Sequence, residues 1–501
     1  MKKKYFITIK LITIVWISAL ITGCDFGLLD EEPKTFLSED AVFANKDGVV
    51  SATISIYEPW RQDNLYGWWL LGCNELFSDY LYGRGSQAPL GNYKLDATSV
   101  MRVGNIWRGC YRVINRTNVV IDQLEEKEIP GVDAALKNQL MGEARFNRAL
   151  SYFHLVRLFG DVPLRTESVT DPAQFAIPRT AAAQVYEQII EDLEFAEANL
   201  PPVYPANELG RATKWAATSL LSKVYLTQGN WTEAAAKAKS VMDSGLFSLV
   251  EVKVPEDFQK IFGPDITTHS EEIFSIRHSR IPGLGFNALW VMHRAGSGYS
   301  LGNNAHAWYG NFDSWLGEWV KELESSDPDL RTKDWLYNGP HDEKFLDGTI
   351  KMLFKKFRDT ESDVPGNDFP VIRYTEIVLI YAEAISQAGN GPTAEAYEAV
   401  NMVRRRAYGR DLNTPDATVD LQPGLSAAQF QDEILLERAK EFVMEGKRWY
   451  DLLRTGKTIE VISAAGPVKA VIQEKHLKWP IPSEEIDNND ALNQEDQNPG
   501  W

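Results

Sequence analysis

Three cysteines in 501 residues are too few to staple a chain of this size. Cys24 ends the amino-terminal segment discussed below. The spacing of Cys73 and Cys110 does not pair them, so two buried free thiols are expected. The seven histidines are scattered, with no pair at metal-ligand spacing and no H-E-x-x-H string, so neither a metal nor another cofactor is expected. Positive charge is scarce as well. Against 52 Lys and Arg stand 70 Asp and Glu, and the net charge of −18 argues against nucleic acid or an anionic membrane surface as partner. Phosphate-binding loops are missing: Gly296 to Gly302 is glycine-rich but has neither dinucleotide spacing nor a strand–helix setting. Asp327-Pro328-Asp329 is too short for a calcium loop. With 70 carboxylates, any glycosidase-like acid pair picked by eye would be chance, and no catalytic residue is assigned.

The longest apolar run sits at the amino terminus. Lys2, Lys3 and Lys4 precede Leu11 to Ile21, a length that suits a secretory signal and is too short to span a bilayer comfortably. It ends in Ile21-Thr22-Gly23-Cys24, a string that resembles the lipobox of bacterial lipoproteins. Residues 1–23 therefore read as a lipoprotein signal peptide. Cys24 reads as the lipidated residue, since two or three acyl chains anchor a protein stably.

From Ser38, a candidate helix cap, to the carboxyl terminus the chain reads as mainly α. Helical patterns run from Val100 to Leu124, from Leu136 to Phe159 and from Ala181 to Asn199, with Gly160 and Pro201 as stops. In Ala212 to Gly245 the residues Leu221, Ser222, Tyr225, Gly229, Ala234 and Ala238 fall at tetratricopeptide offsets. Tyr381, Ala382, Gly389, Ala396 and Val400 repeat the pattern in Ile372 to Arg406. The reading is a tetratricopeptide-like helical scaffold, about 38–246 and 371–501, interrupted by an inserted lobe at about 247–370. That lobe lacks helical periodicity apart from a short strand at Glu271–Arg277. Near the end, Glu437 to Gly456 reads as one helix. Leu435, Ala439, Phe442, Gly446, Trp449 and Leu453 form an apolar stripe, and Arg438, Glu441, Glu445 and Arg448 a mutually paired charged one. Gly446 in such a helix suggests a close crossing.

What the chain has in surplus is aromatic side chains, 15 Trp and 19 Tyr. They crowd into Trp60–Tyr93, which reads as irregular, and Phe286–Tyr337. Aromatic faces suit the C–H faces of pyranose rings, while amides, carboxylates and guanidiniums hydrogen-bond the hydroxyls. Asn74, Asp79, Arg84, Asn303, Asn304 and Asn311 lie near enough in sequence to serve. Most of these rings are expected to fill the core of a helix-poor lobe, with a few left as a platform.

Several blocks resemble one known family. LLDEEP follows the lipobox like a tether. NIWRGCYRVINRTNVVIDQL (Asn105–Leu124), GEARFNRALSYFHLVRLFGDVPL (Gly142–Leu164), VIRYTEIVLIYAEAISQAG (Val371–Gly389), NMVRRRAYG and ERAKEFVMEGKRWYDLLRTG follow in order. The closing LKWPIPSEEIDNNDALNQEDQNPGW completes the set. Together they resemble the SusD/RagB family of surface glycan-binding lipoproteins across nearly the whole chain, residues 24–501. Asn489-Asp490 departs from the family's Asn-Pro.

The resemblance implies a non-enzymatic lipoprotein on the outer surface of the outer membrane of a Bacteroidetes-type bacterium. It would bind an oligo- or polysaccharide and pass it to a TonB-dependent, SusC-like transporter. On the family's habits the ligand-binding residues would be Trp68, Trp69, Tyr82, Trp290, Trp308 and Trp315. The alternative is a scaffold lipoprotein of a transporter complex that binds a non-sugar ligand such as a peptide.

Overall fold

The computed structural model describes residues 38–294, 296–301, 308–312, 318–325, 328–337 and 350–501. The signal segment and Cys24 lie outside them. The principal helices are α1 (Lys46–Ser55), α2 (Trp69–Leu76), α3 (Ala97–Glu126), α4 (Ala134–Phe159), α5 (Ala182–Asn199), α6 (Lys214–Gln228) and α7 (Trp231–Asp243). After the less helical stretch come α8 (Tyr374–Ala388), α9 (Ala394–Ala407), α10 (Ala427–Glu441) and α11 (Arg448–Arg454). The chain is mainly α, as its sequence implies.

Local chemistry fixes where the helices start, for α3 to α6 within three residues of the bounds expected from the sequence. Asp96, Asp133, Thr213 and Thr393 each accept a hydrogen bond from a backbone N–H of the first turn, and Ser426 forms a capping box with Gln429. Gly160 ends α4 at φ +76°, a conformation glycine enters without a Cβ clash. Successive helices from α3 to α7 pack side by side, and α7 then packs directly on α8. The stack is thus continuous in space although some 130 residues separate α7 from α8 in sequence. Small buried residues make the close approach possible, among them Ala216, Ala217, Ser219 and Ser222 in α6 and Ala234 and Ala238 in α7.

Between α7 and α8 lies most of the strand structure. β2 (Glu272–Ile276) pairs antiparallel with β6 (Phe369–Arg373), which runs straight into α8. A second sheet has the order β1-β3-β5-β4, where β1 is Tyr82–Gly83, β3 Tyr309–Phe312, β4 Leu336–Tyr337 and β5 Ile350–Phe354. β1 comes from far upstream, so this sheet ties the early aromatic segment to the later one. Trp60–Asp96 is less irregular than its sequence suggests: it holds a 3₁₀ turn and α2, which is buried on every side but at Trp69. A helix buried all round has no amphipathic stripe for periodicity to detect.

The segment Glu437–Gly456 is not one helix. α10 ends at Glu441 and α11 begins at Arg448, and Met444 (φ +60°) and Gly446 (φ +69°) turn the chain between them. The charged residues do not pair along a shared stripe either. Arg438 pairs with Asp451 at 2.8 Å, Arg448 with Asp79 at 2.9 Å, and Glu445 with Arg373 at 2.9 Å. Four-residue spacing was satisfied by a helix plus a turn, because buried partners elsewhere outcompete neighbours along the helix.

Gly446 is therefore a turn glycine and not a crossing glycine. Its N–H donates to Glu75 Oε1 at 2.5 Å, and a Cβ there would sit 3.4 Å from Leu71 Cδ1. Gly446→Leu is expected to destabilise the fold by about 2 kcal/mol, mainly the left-handed backbone cost, and to leave ligand affinity unchanged. Thermal melting beside a binding titration checks this; an unaltered melting midpoint would refute it.

The closing segment around Pro480-Ile481-Pro482 packs against the end of α4. Trp479 N–H donates to the Leu158 carbonyl at 2.7 Å, and Asn498 Nδ2 donates to the carbonyls of Phe159 and Trp479. The tail closes the end of α4, and the Phe77 ring joins it to α11, with its centroid 5.1 Å from Trp449 and 5.0 Å from Trp479. Cys73 and Cys110 are both buried and free. Burial pushes the Cys73 thiol up to about 12, so it is inert at neutral pH.

Candidate functional site

The turn before α2 lays two tryptophans side by side. Trp69 N–H donates to Asp63 O at 2.7 Å and Trp68 N–H to Leu65 O, which fixes the entry of the chain into the helix. The indoles of Trp68 and Trp69 stack with centroids 4.7 Å apart and planes 17° apart. Trp308, just before β3, brings its ring to 5.5 Å from Trp68. All three rings are half-buried.

Two residues not anticipated from the sequence hold this cluster in place. Tyr309 is buried and accepts a hydrogen bond from Trp68 Nε1 at 2.9 Å. It can come so close only because residue 72 is glycine: a Cβ there would lie 2.4 Å from the Tyr309 hydroxyl. Arg102, on α3, sets its guanidinium 4.8 Å over the Trp69 ring while bonding Ser86 with both terminal nitrogens. Tyr309 could have been suspected from its place beside Trp308; nothing in the sequence around Arg102 marks it.

The remaining candidates divide. Tyr82, half-buried in β1, faces Gly310 across the sheet, and Arg84 N–H donates to the Trp308 carbonyl at 2.8 Å. The β1–β3 pairing thus sets Tyr82 two residues from the Trp308 strand entry. Burial raises the Tyr82 hydroxyl above its ordinary range, with a hydrogen bond from Asn92 opposing. Trp290 sits in the short helix Leu289–Met292 and makes no ring contact with Trp68, Trp69 or Trp308. Its loop is nevertheless held against the same turn, since Ala288 N–H donates to Gly67 O at 2.8 Å and Asn287 Nδ2 to Asp63 Oδ1 at 2.8 Å. The Trp290 indole nitrogen is buried without a partner among the described residues. Trp315, Asn303 and Asn304 lie outside the described residues.

Two of the polar residues expected near the ligand are not there. Asp79 is buried and occupied by Arg448 and by Trp319 Nε1 at 2.8 Å, and Asn74 is buried against Tyr450. Sequence proximity to tryptophans misled because α2 and the turn that follows it point Asn74 and Asp79 inward. Arg84 stays half-exposed beside the cluster.

No group of three or more His, Cys, Asp or Glu side chains is arranged to hold a metal ion among the described residues. Nor is any helix there long and apolar enough to cross a membrane. None of the three tryptophans lines the interior cavity between the helices. A surface of stacked indoles flanked by a guanidinium can engage the flat faces of an extended ligand.

Fold and surface together define a class: a helical-repeat scaffold that carries a cluster of stacked, half-buried indoles on its loops. Two family models extend that to a lineage, the SusD family over residues 299–501 and "starch-binding associating with outer membrane" over 85–226. The chain belongs to the SusD/RagB family, whose members associate with the outer membrane, and it is accordingly a binding protein and not an enzyme. SusD-like protein P2 of Formosa agariphila is 28% identical, over 98% of this chain and 99% of its own. A crystallised SusD homologue from Bacteroides thetaiotaomicron superposes with a TM-score of 0.79 at 24% identity, covering 92% of this chain and 98% of that one. A laminarin-binding SusD-like protein superposes with a TM-score of 0.69 at 23% identity, over 92% of this chain and 100% of that one.

Proposed function

We propose that this protein is a surface lipoprotein, anchored through Cys24, that binds a glycan and delivers it to a TonB-dependent, SusC-like transporter in the outer membrane. The observation that carries the reading is the half-buried stack of Trp68, Trp69 and Trp308. Indole faces gain from the apolar C–H faces of pyranoses, and a surface admits the middle of a polymer that no closed pocket could. Tyr82, Trp290 and Trp315 are the further ligand contacts proposed. Relatives named for starch and laminarin binding favour a glucan over other polymers. The helical stack is then free to meet the transporter while the aromatic loops meet the sugar, the division of labour that delivery requires.

Electrophoresis in native gels containing soluble starch, laminarin or other glycans tests the reading. Retardation by at least one polymer, with no reducing ends released on prolonged incubation, is expected. Co-purification with a transporter and no retardation across the panel would replace it with the scaffold alternative.

A further inference from the structure

We infer that the interior cavity between α4, α6, α8 and the α10–α11 turn is a binding site for one small monovalent anion of halide size. Five cationic side chains converge on it: Arg157, Lys223, Arg438, Lys447 and Arg454. Three carboxylates answer them. Glu376 takes Lys447 at 2.6 Å and Lys223 at 3.2 Å, Asp451 takes Arg438 at 2.8 Å and Arg454 at 2.9 Å, and Glu383 takes Arg454. Glu445 also lines the cavity, but Arg373 and Lys356 already engage it from the other side. With every group ionised, five cations against three carboxylates leave two positive charges in excess, in a place where unbalanced charge is costly.

Two of its members have coordination to spare. Arg438 is 97% buried, its side chain lines the cavity, and its Nη1 has no partner. Arg157 has no carboxylate partner among the described residues; it donates to the Phe153 carbonyl and lies 3.6 Å over the rings of both Phe153 and Tyr450. Burial, with Lys447 and Arg157 adding to it, pushes the Lys223 ammonium down to about 7 against the pull of Glu376. An anion would relieve that repulsion. His154, on the cavity wall, is held well below its ordinary range by burial and by Arg157, so it adds no charge of its own. Asn74 lines the same cavity with its Oδ1 unpaired, and with the amide turned over it presents a donor instead.

Size and access fit as well. The cavity has a volume of about 50 Å³, enough for an anion and a water or two. Its mouth lies at Arg157, Lys223 and Thr227, the part-exposed residues of its lining on α4 and α6. None of the ligand-platform residues takes part, so this site stands independently of the proposed glycan binding.

Crystals soaked in sodium bromide and measured at the bromine edge should show one anomalous peak beside Arg438 Nη1. In solution the melting midpoint should be higher by about 2 °C or more in about 200 mM chloride than in gluconate at equal ionic strength, gluconate being too large to enter. Arg157→Gln, which strands no carboxylate, should abolish the chloride-specific increment while the protein still melts cooperatively. A water peak in place of bromide would overturn the proposal. So would a bromide peak without any halide effect in solution, which would mean binding at crystal concentration only, or an increment that survives in Arg157→Gln.

Discussion

Replacing Glu441 by alanine is expected to lower the unfolding free energy by about 3–5 kcal/mol, the cost of leaving buried cations without their counter-charge. Three arginines meet at this carboxylate. Arg373 lies 2.9 Å from Oε1, Arg406 donates to the same oxygen, and Arg331 reaches Oε2 at 3.2 Å. Its backbone carbonyl takes Lys356 Nζ at 2.7 Å. All these side chains are at most 1% exposed, so no water replaces the lost partner. Arg331, Lys356 and Arg373, the last residue of β6, come from the stretch between α7 and α8, and Arg406 and Glu441 from the helical stack. The network is thus the fastening between the two, and its loss should loosen the platform together with the scaffold.

The same carboxylate has a pH signature. Burial works against its ionisation, yet Arg406, Arg373 and Arg331 hold it far below the usual carboxylate range. An acid whose folded-state pKa is depressed contributes stability that is present above its unfolded value, about 4.3, and lost as pH falls below it. Between pH 5 and 3 the unmodified protein should therefore lose stability more steeply than Glu441→Ala, which has already lost that contribution. Urea denaturation at several pH values measures both effects. A loss below about 1 kcal/mol at pH 7 would show that the three arginines find other partners.

Trp308→Ala is the second large effect, and it falls on the ligand. Removal of a central aromatic contact typically costs 2 kcal/mol or more, so affinity for the retarding glycan should drop by at least about 30-fold. Stability should move little, with the melting midpoint within about 2 °C. The Trp308 carbonyl, which holds β1 to this segment through Arg84 N–H, survives the truncation. Trp68→Ala is a less clean probe, because it also takes a hydrogen-bond donor from the buried Tyr309 hydroxyl. Isothermal titration calorimetry separates the cases: an affinity unchanged in Trp308→Ala would remove this ring from the site.

Much of the scaffold could be read from residues alone because its signals are local. Asp133, Thr213 and Thr393 cap helices within three residues of themselves, and the small–large spacing in α6 and α7 records which residues face a neighbouring helix. Other features carried no such signal. α2 is buried nearly all round, its polar Asn74 and Glu75 included, and the turn at Met444–Gly446 falls inside a string whose four-residue spacing imitates a helix.

Sequence by itself determined the helical architecture, the family, and the two aromatic-rich segments. Tertiary structure decided what those segments become. Trp60, Tyr66, Tyr80 and Tyr93 went into the core, and Trp68, Trp69 and Trp308 met as a half-exposed stack across 240 residues of chain. It also moved Asp79 from an expected ligand contact, and Glu441 from a paired helix flank, to buried partners brought from afar. The physical reason is common to both cases. An indole or a carboxylate serves equally well in a core or at a surface, and only the partners that folding brings from afar settle which it will be.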